Sequence, residues 1–216
     1  MVPALPANPL SIELTLTHRR FWWRIDDEDE EPEQWDASAD ISHLERCRDD
    51  LRHVGDIVFA VADLTRKRNL LDSVVLGEWA LEFIAETVID PDRGGLHPEL
   101  DSMISDGPPR LIVLRSIGIE EPWRGHGLGA ALTASALRIM APHARLAVCR
   151  VSPQEFRGGG ASREAAETTA LRAAAKLERA GFRRWRGVHI VDLGSPGSVH
   201  PRADVLDQWW HWHGED

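Results

Sequence analysis

The sequence predicts an α/β domain built on a mixed sheet. Three observations carry this. Residues 110–129, RLIVLRSIGIEEPWRGHGLG, run from an apolar strand through a short turn into a glycine-rich helix start. Residues 162–193 hold a helix bracketed by Ser162 and Gly181, with a strand behind it. Along the whole chain the apolar residues switch between strand and helix spacing, in the order β, α, β, α, β, α, β, α, β.

The elements follow in order. In residues 11–17, Ile12, Leu14 and Leu16 alternate with Glu13, Thr15 and Thr17, the period of a half-buried strand, which is expected to run on to residue 25. The acidic run 26–36, DDEDEEPEQWD, reads as a solvated loop. Residues 39–52 read as a helix on Ile41, Leu44 and Leu51, and residues 56–64 as a strand. Residues 69–89 place Leu71, Val74, Val75, Leu81, Ile84, Ala85 and Val88 near helical spacing, closed by Asp90 and Pro91. The Pro, Gly and Asp content of 91–109 marks a loop. Then come a strand at 110–119, a helix at 127–140 stopped before Pro142, and a strand at 145–151. The stretch 153–162, with Gly158, Gly159 and Gly160, reads as a flexible connection. Ser162 is a fitting N-cap for a helix to 180, Gly181 fits its C-terminal turn, and 182–193 is the last strand. There are no internal repeats, so residues 1–216 are expected to form one domain, with a Trp-rich tail at 194–216.

Composition bounds the function. Hydrophobic residues make up 43% and charged residues 28%, and the formal net charge is −10. Such a balance argues against non-specific nucleic-acid binding, which needs basic patches. No stretch approaches the length of an apolar membrane span, and the N-terminus lacks a basic, then apolar, leader. A cytoplasmic protein without membrane or nucleic-acid partners is the expectation. Cys47 and Cys149 are far apart and show no metal-like spacing. In the tail, His211 and His213 lack a third ligand at fixed spacing, so no metal is expected. Trp209, Trp210 and Trp212 are expected to pack onto the domain or onto a second subunit, as in a homodimer. The chain has nine tryptophans and no tyrosine.

The glycine-rich loop can be weighed three ways. It lacks the GKS or GKT of a Walker A loop. GHGLGA fits a dinucleotide fingerprint in form, but residues 120–124 intervene where that fingerprint needs a tight turn. No acidic residue follows at the ribose position, where Arg150 is nearest and would serve only a 2′-phosphate. The third pattern is Arg124-Gly125-His126-Gly127-Leu128-Gly129, which matches R/Q-x-x-G-x-G/A. With the aromatic Trp123 before it, and with KLERAGFRRW ending a later helix at Gly181 and Phe182, the chain resembles the GNAT acyltransferases. The resemblance covers about residues 55–193 and is strongest at 110–140 and 170–192.

That resemblance implies a mostly antiparallel central sheet flanked by helices and splayed at its fourth and fifth strands. It implies acetyl-CoA, or a related acyl-CoA, as donor, and a small-molecule amine or a protein amino group as acceptor. Glycines at 125, 127 and 129 permit the close backbone approach that a diphosphate needs. Arg124 is expected to contribute mainly a backbone amide, Leu128 its backbone N–H with the side chain in the core, and His126 is expected among the cofactor-binding residues of the same loop. The pantetheine arm is expected along Ile117, Gly118 and Ile119, with Gly118 marking a bulge or a close approach. A strand N–H near Ile119 would polarise the thioester carbonyl.

Family members commonly use a tyrosine four residues before the helix-end glycine to protonate the leaving thiolate. Leu177 stands there, and Ala170 stands near the family's frequent asparagine. Cys149, Ser152 or water are the substitutes, and Glu120, ahead of its neighbour Glu121, is the candidate base. A catalytically weak acyl-CoA-binding module and a nucleotide-dependent oxidoreductase are the competing functions.

Overall fold

A computed structural model describes residues 4–18, 32–64, 79–156, 162–195 and 209. Its strands are β1 (Ile12–His18), β2 (Glu33–Ile41), β3 (His53–Asp63), β4 (Arg110–Ile119), β5 (Leu146–Cys149), β6 (Arg183–Trp185) and β7 (Val188–Asp192). The α-helices are α1 (Trp79–Val88), the single turn α2 (Pro98–Asp101), α3 (Leu128–Met140) and α4 (Arg163–Arg179). The strands form one sheet in the order β1-β2-β3-β4-β5-β7-β6. β4 and β5 run parallel and every other neighbouring pair is antiparallel.

Each face of the sheet buries its own core. Ile57, Phe59, Ile112 and Leu114 pack with Trp123 and with Leu128 and Leu137 of α3 on one face. Ala60, Leu111 and Val113 pack with Ile84 and Val88 of α1 on the other. The parity of β3 and β4 therefore decides what lies on each side, and a one-residue slip would invert it.

Several boundaries differ from the expectation. The helix at 39–52 is absent. Residues 33–41 form β2 instead, with Ala37, Ala39 and Ile41 buried on every second position. The small alanines carry no bulky strand signal and so conceal that alternation, and Leu44, an expected inward helical position, is 84% exposed. The acidic run thus ends inside a strand, where Glu33 pairs with Arg110 of β4 at 2.9 Å. The continuation of β1 to residue 25, the first part of the 69–89 helix and the triglycine lie outside the described residues. The last strand is a hairpin, β6 and β7, because Arg186 (φ 43°) and Gly187 (φ 88°) form a two-residue left-handed turn.

The helix caps fall where the sequence puts them. The Ser162 side chain accepts a hydrogen bond from the Ala165 amide at 3.2 Å. Gly181, at φ 93°, closes the far end, with the Phe182 amide bonded to the Leu177 carbonyl at 3.0 Å. Ser162→Ala is expected to cost about 1 kcal/mol. In a thermal melt that is a fall of roughly 2–4 °C. An unchanged melting temperature would show that the cap contributes nothing.

Candidate functional site

The site begins with an edge. β4 pairs with β5 only through Leu111, Ile112 and Val113, opposite Leu146, Ala147 and Val148. β4 then continues to Ile119 with β3, among the described residues, alone beside it. Backbone groups of successive strand residues point to opposite edges. The Glu120 amide donates to the Val54 carbonyl of β3 at 2.9 Å, so the N–H groups of Ile119 and Ile117 face the open edge. The Arg124 side chain confirms that direction, since its Nε donates to the Ile119 carbonyl at 2.6 Å.

Gly118 is not the bulge. The register shift in β3 and β4 falls where Phe59 faces Leu114 and Val58 faces Ser116, which leaves Arg115 as the extra residue. Gly118 stays in register opposite Asp56. The close approach belongs to its neighbour: a Cβ on Gly55 would lie 2.2 Å from the Gly118 carbonyl oxygen, whereas one on Gly118 would meet only the Asp56 carbonyl at 3.8 Å. Among the described residues, the space over Gly118 is open.

The turn after β4 is pinned by Trp123. This side chain is fully buried and its Nε1 donates to the Leu51 carbonyl at 3.0 Å. The Trp123 amide donates to the Glu120 carbonyl at 2.9 Å and the Arg124 amide to the Glu121 carbonyl at 3.2 Å. The Arg124 amide is therefore engaged, and its guanidinium braces the strand end. That corrects the expectation that Arg124 would offer a backbone donor.

The donors come after it. Among the described residues, the amides of Gly125, His126, Gly127, Leu128 and Gly129 have no backbone acceptor. Five successive N–H groups thus cluster where α3 starts, together with about half a positive charge from the helix dipole. Gly125 (φ 91°) and Gly127 (φ 80°) are left-handed, and a Cβ on Gly127 would project into open space. Gly129 lets α3 settle on β4, since its Cβ would lie 3.4 Å from Ile119 Cγ1 and 3.8 Å from Ile117 Cγ2. Leu128 is buried in the core, as expected. Ile117 is 36% exposed, an apolar side chain beside the open edge.

The loop has a further neighbour. The Trp209 ring sits 5.7 Å from the His126 ring at 60°, so this residue of the tail packs on the domain. Among the described residues, His126 Nε2 and Trp209 Nε1 are buried without a hydrogen-bond partner. The histidines at 211 and 213 lie outside the described residues. Among the described residues, no group of three His, Cys, Asp or Glu side chains is placed to hold a metal ion. No described helix is long and apolar enough to cross a membrane.

The candidate catalytic residues are placed unequally. Glu120 is exposed immediately past β4. Cys149, at the end of β5, is buried, and burial pushes its thiol up to about 12. An ordinary thiol titrates near ~8.5, so a proton transfer from Cys149 to a leaving thiolate runs uphill by roughly 3–5 kcal/mol. Leu177 and Ala170 are buried on α4, so these positions supply no donor. Sequence reasoning passed over His53, Asp40 and Asp56, which converge from β2 and β3. His53 Nδ1 lies 2.9 Å from Asp40 Oδ1 and its Nε2 3.0 Å from Asp56 Oδ2. The register of β2 against β3 brings Asp40 to His53, and the irregular pairing at Val54 brings His53 within reach of Asp56, three residues on in β3.

The dinucleotide alternative fits this sheet poorly. A doubly wound domain needs successive parallel strands, and β4 and β5 are the one parallel pair among the described strands. Arg150, the candidate 2′-phosphate ligand, stacks its guanidinium 3.7 Å from the centre of the Phe83 ring.

No family model matches the chain, and neither does any curated protein. Among solved structures it is similar to a tyrosine-to-phenylalanine mutant of KacT, at 10% identity and a TM-score of 0.34, over 90% of this chain and 98% of that one. At that level of likeness, fold and site are read from the geometry of this chain.

Proposed function

We propose that the protein is a GNAT-like acyltransferase, moving an acetyl group from acetyl-CoA to an amine by direct attack in a ternary complex. One observation carries the reading: the open edge of β4 ends at five successive backbone N–H groups that have no backbone acceptor among the described residues. A pantetheine amide chain needs a free strand edge, and a diphosphate needs such a cluster of donors at its end. The parting of β4 from β5 beyond Val113 fits the splay that the sequence resemblance implies.

In this reading Ile117, Gly118 and Ile119 line the arm, and the loop 125–129 holds the diphosphate. The Ile119 N–H, on the open edge, is the donor for the oxyanion that forms as the amine adds to the thioester carbonyl. The amine must lose a proton. Glu120 is one acceptor, and the sheet face at Gly118 offers another. Given the buried thiol of Cys149, the departing thiolate takes its proton from the attacking nitrogen or from water.

Cys149→Ser is accordingly expected to leave kcat within about 3-fold of the parent, against the 10²–10⁴-fold effect of a working acid. Thiol release from acetyl-CoA with a panel of primary amines and peptides tests the function itself. Amine-dependent release supports the enzyme. Tight acetyl-CoA binding without turnover would favour the second reading, an inactive acyl-CoA-binding module, for which Leu177, Ala170 and the absence of tyrosine speak.

A further inference from the structure

One face of the β1–β4 half of the sheet carries a polar row that leads to Gly118. In register across β1, β2 and β3 stand Glu13, Asp40 and His53. The adjacent row runs through Thr15, Ser38, Asp56 and Gly118. Directly opposed residues share a face, so Asp56 stands on the side of β4 from which Gly118 has withdrawn its side chain.

The row is wired together. Ser38 Oγ donates to Asp40 Oδ2 at 2.6 Å, Asp40 Oδ1 meets His53 Nδ1 at 2.9 Å, and His53 Nε2 meets Asp56 Oδ2 at 3.0 Å. The Asp56 side chain is 60% exposed, and among the described residues only one of its oxygens is engaged. A carboxylate with a spare oxygen, beside a glycine over open space, suits a cation and repels an anion.

We propose that the acceptor is a primary ammonium held by Asp56 above Gly118, and that the Asp56–His53 pair takes its proton. This rests on the acyltransferase reading and assigns its acceptor side. The ammonium N–H bond breaks and its proton ends on the imidazole, which becomes an imidazolium between two carboxylates. The freed nitrogen lone pair forms the C–N bond to the thioester carbonyl carbon, and the C–S bond breaks. The second nitrogen proton goes to the thiolate, directly or through water, and the imidazolium returns its proton to solvent.

The hydrogen bond that His53 donates to Asp40, with help from Asp56, holds the His53 pKa above its ordinary value despite partial burial. Other charged groups near this corner are Glu13 opposite Asp40, Glu120 beside Val54, and Arg52, whose guanidinium is tied to Asp49 and to the carbonyls of Ser42 and Glu45. The proton-accepting form is the neutral imidazole, so activity rises with pH through a midpoint above that of free histidine. A basic amine needs this acceptor, whereas a weakly basic amine arrives already neutral.

The test compares the parent with His53→Gln, Asp56→Asn and Glu120→Gln, using acetyl-CoA with butylamine, benzylamine and trifluoroethylamine. Calorimetric acetyl-CoA affinity should be unchanged in all three variants. Asp56→Asn should raise KM for butylamine about 10-fold or more. His53→Gln should lower kcat with butylamine about 100-fold and abolish the rising limb of its pH profile. It should cost far less with trifluoroethylamine. Glu120→Gln probes the competing base: a 10²–10⁴-fold loss there, with His53→Gln near the parent, is the signature of a base at Glu120. A His53→Gln deficit equal for all three amines, or an unchanged pH profile, overturns the assignment, as does a large loss in Glu120→Gln alone. Failure of the parent to bind acetyl-CoA would instead remove the acyltransferase reading, and this proposal with it.

Discussion

Gly127→Glu is expected to abolish acetyl-CoA binding while the protein still folds. A Cβ at this position meets nothing within 4 Å, so the added side chain enters open space at the mouth of the loop and not the core. There its carboxylate opposes a diphosphate across the same N–H groups. Like-charge juxtaposition of this kind costs several kcal/mol, a loss of about 100-fold or more in affinity. Backbone strain adds to it, because Gly127 sits at φ 80°. A side chain in that conformation costs roughly 1–2 kcal/mol. Gly127→Ala separates the two effects, since it carries the strain without the charge. It should lower the melting temperature by roughly 2–8 °C, with a smaller loss of affinity. Calorimetry on both variants checks this, and undiminished affinity in Gly127→Glu would remove the loop from the donor site.

The second large effect is expected at Trp123. This side chain is fully buried between the turn and the sheet, and its Nε1 satisfies the Leu51 carbonyl. Trp123→Ala should cost about 3–5 kcal/mol by cavity formation. The orphaned carbonyl adds about 1 kcal/mol or more. Together these lower the melting temperature by roughly 10 °C or more. Trp123 also anchors the turn from which the loop departs, so acetyl-CoA affinity should fall with stability. Trp123→Phe keeps most of the ring and removes the donor, and should lose only about 1–3 kcal/mol. Chemical denaturation of both variants provides the comparison. A stability loss below about 1 kcal/mol in the alanine variant would be incompatible with the burial described.

Local signals were legible where chemistry and period agree. The apolar run of β4, the glycines of the loop, the Ser162 cap and the Gly181 turn each impose one backbone solution, and each is found there. β2 was illegible because its inward positions include Ala37 and Ala39, which carry no bulky strand signal. The β6–β7 turn was hidden by Arg186, a residue that rarely adopts positive φ. In the loop that the sequence singles out, the amides of residues 125–129 have no backbone acceptor among the described residues, whereas the Arg124 amide is consumed by a short 3-10 turn. Gly118 was informative for a different reason than expected: it opens space beside Asp56, while the bulge lies at Arg115. The row of His53, Asp40 and Asp56 was invisible in sequence, since Asp40 reaches His53 only through the register of β2 against β3, and His53 reaches Asp56 only because the pairing is irregular at Val54.

Titration of the full-length protein with acetyl-CoA and, separately, with NADPH tests the donor assignment most directly. Saturable acetyl-CoA binding, competed by free CoA and absent for NADPH, is the predicted result. Binding of NADPH with none of acetyl-CoA would contradict it, and so would a protein that binds neither.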